Sequence, residues 1–153
     1  MMRQKKYEIT DISEIRRIIK QGKICRLGMC FNNIPYVIPL NYGYKDNELY
    51  FHSSAEGMKI KFIKRNNTVC FEIEEYVDII EEEDACKWTT HYASVIGWGK
   101  VQFITGNDEK KRALDILMHH HSGKSGWKYK EKAFNEVCIF KVKIEKVEGK
   151  SIH

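Results

Sequence analysis

No apolar run in this chain of 153 residues approaches the roughly 18 residues that span a bilayer, which excludes a membrane-spanning helix. The N-terminal MMRQKKYEIT lacks the apolar stretch that heads an exported protein, so a cytoplasmic location and no membrane partner are expected. Five cysteines (Cys25, Cys30, Cys70, Cys86 and Cys138) form an odd set without CxxC spacing. That argues against a disulfide frame or a zinc site and for free thiols in a reducing compartment. No GxxxxGK[ST] is present, and Gly97-Trp98-Gly99 lacks the third glycine and the strand-to-helix context of a dinucleotide fingerprint. Internal repeats, linkers and low-complexity tails are missing too, so a single domain over residues 1–153 is expected.

The charge is uneven. Between Glu72 and Asp84 lie eight acidic residues and no basic one. Without them the chain carries 26 basic against 13 acidic residues, a surplus that steers anions. The lysines are spread over many segments and no nucleic-acid motif accompanies them, so nucleic acid is not an expected partner.

Hydrophobic residues make up 42% and aromatic residues 12%, as in an ordinary globular protein. DISEIRRIIKQG reads as a helix with Asp11 and Glu14 at its start, an apolar stripe of Ile12, Ile15, Ile18 and Ile19, and Gly22 as its stop. KICRLGMCF and IPYVIPLNYGY are strands joined by a turn at Asn32-Asn33, and a turn at Lys45-Asp46-Asn47 leads into the strand ELYFHSS. EGMKIKFIKRNN reads as a helix with Ile60 and Ile63 inward, followed by the strand TVCFEIEEYV and an acidic loop. HYASVIGWGKVQFI is a long strand whose Gly97 and Gly99 allow a bend or close approach to something flat. Asn107 is placed to cap a helix with Ala113, Leu114, Leu117 and Met118 on one face, and EVCIFKVKIEKVEGK alternates as a half-buried strand. About six strands in antiparallel hairpins and three helices predict a mainly β, α+β architecture: a small barrel with helices packed outside.

The stretch HSSAEGMK gathers polar groups where a strand meets a helix. Ser53 and Ser54 supply hydroxyls, Gly57 allows close backbone approach, the helix start supplies free N–H groups, and Lys59 adds a cation. The pattern fits an anion such as a phosphate, and it fits an ordinary turn with serine caps equally well. Pro39 sits mid-strand, which predicts a sheet edge or a bulge with backbone groups left for a planar heterocycle. His119, His120 and His121 are consecutive on a helix, so their side chains diverge and no metal site is expected. His52, His91 and Cys86 lack a third orienting group for nucleophilic catalysis.

In order along the chain, Cys25-Arg26-Leu27-Gly28, PYVIPLNYGY, ELYFHSSAEGMKI, VCFEIE and ACKWTTHYASVIGWGKVQF resemble the pyridoxamine 5'-phosphate oxidase-like split-barrel flavoproteins, and within them the nitroimidazole-resistance branch. The resemblance runs from about Glu8 to Lys150. It implies a six-stranded antiparallel split barrel of the FMN-binding type, with FMN as cofactor in a cleft between the subunits of a homodimer. It places His52, Ser53, Ser54 and Lys59 on the phosphate side, Val37, Ile38, Pro39, Leu40 and Asn41 along the flavin ring, and Ser94 as a polar contact. Trp88, His91 and Trp98 become candidates for substrate contact or for interface packing, with His52 the candidate nearest the chemistry. Met58 departs from the pattern, since the oxidases proper usually carry Arg before the matching Lys. Their C-terminal substrate-binding segment has no counterpart here, so pyridoxamine phosphate oxidation is not expected.

The implied activity is flavin-dependent reduction of small nitroaromatic or similar planar acceptors, the flavin carrying the redox chemistry. The alternative is a non-enzymatic flavin or haem binder or sensor on the same barrel. A basic nucleic-acid-binding barrel is a third, weaker reading, marked by salt-dependent binding.

Overall fold

The computed structural model describes residues 5–153; residues 1–4, part of the N-terminal stretch considered above for a leader, lie outside the described residues. After a 3-10 turn at Lys5–Tyr7 come β1 (Glu8–Ile9), α1 (Ile12–Gln21), β2 (Ile24–Phe31), β3 (Ile34–Asn41), β4 (Gly43–Lys45) and β5 (Glu48–Ser53). Then follow α2 (Met58–Arg65), β6 (Thr68–Ile80), a 3-10 turn at Ala85–Lys87, β7 (Thr89–Ile104), α3 (Asn107–Ser122), α4 (Glu131–Glu136) and β8 (Cys138–Ile152).

The strands form one antiparallel sheet in the order β3-β2-β6-β7-β8-β5-β4, with β1 added on β8. At one end of that path β3 returns to touch β5, the strand next to the other end, without forming a ladder. The sheet is thus a split barrel, mainly β with flanking helices. Eight strands are present rather than six, because two short ones, β1 and β4, join the long six. One of the additions has a clear cause. Tyr42, fully buried, turns inward so that its hydroxyl donates to the carbonyls of Ile19 (2.6 Å) and Gly22 (2.9 Å), and the expected strand through Tyr44 divides there into β3 and β4.

Both hairpin turns fall where expected. Asn32 and Asn33, and again Asp46 and Asn47, have positive φ, the backbone that matches strand twist in a two-residue hairpin. Gly22 does end α1, yet its φ of −60° is not left-handed. Glycine stands there for space: a Cβ would lie 2.4 Å from Ile73 Cγ2 and 2.7 Å from the Tyr42 hydroxyl. Asn107 is the first residue of α3 rather than its cap; Gly106 takes that place without a side-chain bond.

The core lies inside the barrel, built from the alternate residues Leu27, Phe51, Phe71, Val95 and Val142, with Ile15, Ile18 and Ile19 of α1 and Ile60 and Ile63 of α2 closing it. Two bulges tune the alternation. Glu75 is the extra residue on β6, and between Ile144 and Lys146 an extra residue, Glu145, switches the inward phase of β8. The β8 irregularity faces Trp98-Gly99, where a bend was expected; Gly97 makes its close approach to a flat group of the protein itself, the Phe71 ring. The β6–β7 hairpin reaches further than the sequence suggested, to Ile80 and back from Thr89, because pairing such as Asp78 with His91 carries the ladder into the acidic stretch.

Candidate functional site

Strand β3 ends the sheet path, as Pro39 demands, so one edge of Val37–Asn41 has no ladder partner. Val37 and Pro39 project to the outer face, while Ile38 and Leu40 lean on the core. Across the seam, β5 brings Ser53 inward and His52 outward by strand alternation.

The junction after β5 is built tightly. Ser53 is buried and donates from Oγ to the carbonyl of Ser54 at 2.8 Å. Ser54 Oγ accepts from the Glu56 N–H at 3.3 Å, holding the turn. Gly57 has φ of 114°, a backbone open to glycine and strained for any other residue. It is also the N-cap of α2, and no side chain caps that helix, so the first N–H groups of α2 lack an intrahelical acceptor. Lys59, half-buried, donates from Nζ to Ser53 Oγ. No carboxylate pairs with it among the described residues, and burial holds its pKa below the ordinary lysine value. A half-buried ammonium over a hydroxyl, beside an open helix N-terminus, is a cradle for an anion.

His52 stands beside this cradle. Its pKa lies below the ordinary imidazole value, first through the protein bulk around it, then through Lys59 and His121. Three residues of the region carried no sequence signal. Cys138 is the ladder partner of Ser53, and Lys64 and Lys110 join Lys59 in acting on its thiol. Burial nevertheless dominates and pushes that thiol up, so it is a poor nucleophile. The place of Cys138 follows from the β5–β8 register, a pairing across some 85 residues that no local pattern announces, while Lys64 comes from α2 and Lys110 from α3.

The other candidates sit elsewhere. Successive ladder partners place Val37, Gly28, Cys70, Trp98 and Lys146 in one row on the outer face. The next row holds Pro39, Arg26, Glu72, Ile96 and Glu148. Ser94 lies in a third, between Glu74 and Lys150. Strand β7 lies three strand spacings from β3 and two from β5, about 10 Å at the least, so one chain does not bring Ser94 or Trp98 to the seam. Trp88 and His91 lie further off, on the hairpin arm; Trp88 is half exposed and donates from Nε1 to the Glu82 carbonyl at 2.6 Å. At the centre of the face, Arg26 bonds Glu72 (3.0 Å) and Glu74 (2.9 Å), so part of the acidic run serves the sheet rather than solvent.

The consecutive histidines diverge along α3: His120 donates from Nε2 to the Gly22 carbonyl at 2.8 Å and packs on Tyr42, while His121 acts on His52. Among the described residues no cluster of three or more His, Cys, Asp or Glu could hold a metal ion, and no helix is long and apolar enough to cross a membrane.

Comparison with known proteins decides the family. The pyridoxamine 5'-phosphate oxidase family model matches residues 11–151. The chain belongs to that family. Over 94% of its length it is 35% identical to a candidate 5-nitroimidazole antibiotic resistance protein from Bacteroides thetaiotaomicron VPI-5482, covering 85% of that chain with a TM-score of 0.83. This family member therefore stands with the nitroimidazole-resistance branch. The flavocytochrome Anf3 from Azotobacter vinelandii shares the fold at a TM-score of 0.84 and 15% identity, over all of this chain and 72% of that one. An uncharacterized protein of Rhizobium meliloti (strain 1021) is 32% identical over 63 residues, and the match spans 41% of each chain.

Proposed function

We propose that this single-domain family member binds flavin mononucleotide, with the phosphate on Ser53, Ser54, Lys59 and the open N-terminus of α2. Lys59 carries the reading: its half-buried ammonium has a hydroxyl for company and no counter-anion among the described residues. A phosphate there would supply the missing negative charge. Met58 is exposed, and Lys64 and Lys110 add positive potential in place of the arginine usual at that position. The ring would lie along the unpaired edge of Val37–Asn41, whose backbone groups suit a planar heterocycle.

The bound flavin would supply the electron transfer, to small nitroaromatic or similar planar acceptors. The chain's own part is to hold the phosphate, align the ring on a rigid edge and exclude water from it. The outer face, which no helix covers among the described residues, supports a homodimer, in which a partner's Ser94, Trp98, His91 or Trp88 reaches the ring that one chain leaves half enclosed.

The test is the visible spectrum of the purified protein, with the mass of whatever denaturation releases. Flavin absorption and the mass of flavin mononucleotide are expected. A colourless protein that refuses added flavin overturns the reading, and an intense Soret band without flavin points to a haem binder instead.

A further inference from the structure

A cleft of about 720 Å³ opens between the end of α1, strand β4 and the second half of α3. It shares no residue with the Ser53–Lys59 junction. Three elements each send a cation to it: Lys20 from α1, Lys45 from β4 and Arg112 from α3. None of the three has an ion-pair partner among the described residues. Asp115 is the one carboxylate of the lining, and it is already engaged. One of its oxygens accepts from Lys111 Nζ at 2.7 Å and the other from the Tyr129 hydroxyl at 2.8 Å.

Two helices end here, and helix C-termini repel anions. In this cleft several of the carbonyls at those ends are already engaged. Gly22 O accepts from His120 Nε2 and the Tyr42 hydroxyl, and Ile19 O from the same hydroxyl. Met118 O accepts from Ser122 Oγ at 2.7 Å, and His119 O from the Gly123 N–H at 2.8 Å. What faces the opening is a cationic rim over the half-buried surfaces of Tyr44 and Ile116.

Three cations from separate elements line one cleft without a free carboxylate, and their joint potential favours a polyanion there. An arginine fork and two lysines suit phosphate oxygens. The volume falls in the range of small-molecule sites and leaves room beside the phosphates for a ring on Tyr44. We propose that this cleft is a second ligand site, taking a multiply charged phosphate ester of nucleotide size, with its phosphates on Lys20, Lys45 and Arg112 and its ring against Tyr44 and Ile116.

Calorimetric titration of the full chain, preloaded with flavin mononucleotide where it takes it up, tests this with ADP, inorganic pyrophosphate and adenosine. ADP should bind more tightly than pyrophosphate, and adenosine most weakly. Arg112→Gln, and separately the double change Lys20→Gln with Lys45→Gln, should weaken ADP about tenfold or more, the loss expected of charge-assisted contacts. Lys59→Gln should leave ADP binding unchanged. All these side chains lie at the surface or half-buried, and an unchanged melting temperature confirms folding. Failure of ADP to bind overturns the proposal. So does binding that Lys59→Gln abolishes while Arg112→Gln does not, since the anion then sits at the other junction. Pyrophosphate binding as tightly as ADP overturns the nucleotide and leaves a bare phosphate site.

Discussion

The two faces of β7 are made by the same strand and end in opposite conditions. Inward, Ala93, Val95 and Val101 are at most 4% exposed, and Gly97 lies under the Phe71 ring. Outward, Ile96 is 43% exposed, Trp98 carries Lys146 over its ring at 5.0 Å, and Val37, in the Trp98 row on β3, is 62% exposed. Among the described residues no helix covers that outer face, since α1 and α2 close the inside and α3 lies on β4 and β5. One chain therefore completes its core and leaves its other apolar surface unfinished. An exposed face of this kind is what association uses, and the central Arg26–Glu72–Glu74 cluster gives it a fixed polar centre.

Substitutions can pull the two faces apart. The largest effect belongs inside: Phe71→Ala should cost about 3–5 kcal/mol in urea unfolding, and a loss under about 1 kcal/mol would mean the inner face is not the core. Next comes the seam where inner and outer residues meet. Lys59→Gln should weaken flavin mononucleotide binding roughly 10- to 100-fold, followed by fluorescence quenching, while leaving the unliganded fold no less stable, because a half-buried cation without a counter-charge is removed. On the outer face, Ile96→Lys should lower the unfolding free energy of the single chain by no more than about 0.5 kcal/mol, since its ladder partners are Glu72 and Glu148. It should weaken self-association about tenfold or more in analytical ultracentrifugation, one desolvated ammonium in place of an apolar side chain sufficing. An unaltered sedimentation profile would show that the outer face is not where copies meet.

The smallest effect is a pH dependence. The fold keeps the His52 pKa below its ordinary value, so its neutral form is favoured. The stability this gives is complete above about pH 6.5 and declines as pH falls toward the lowered folded value. A bound phosphate would reverse the preference and raise that pKa. Flavin affinity should then rise a few-fold as pH drops through about 6.5, and His52→Gln should lack the rise, since the ligand's own titration is common to both proteins.

Much of the inner face is legible in the residue pattern itself. Period-two runs such as Val69, Phe71 and Ile73 name both strand and inward side, the Asn-Asn and Asp-Asn pairs name their turns, and Pro39 names an edge. The β6–β7 arm is not legible, because Glu81 to Asp84 mask an alternation that long hairpin pairing sustains up to them. Tyr42 also misleads: an aromatic residue inside a strand-like run gives no sign that two carbonyls at the end of α1 will draw it out of the ladder. At the seam, Ser53, Ser54, Gly57 and Lys59 are neighbours in sequence and can be read together. Cys138 and Lys110 cannot, because only the β5–β8 pairing and the packing of α3 bring them there.

That pairing has a consequence for how the molecule comes to be folded. Strand β8 lies between β7 and β5 and also holds β1, so three ladders await the last strand described. Until it is synthesised, β5 and β7 each present an open edge, and the barrel cannot close around Phe51 and Phe71. Contacts so distant in sequence make for slow assembly, and open edges on an incomplete chain invite aggregation. A ribosome-stalled chain that ends before Cys138 should therefore stay protease-sensitive and bind chaperones, and release of the remaining strand should convert it in one step.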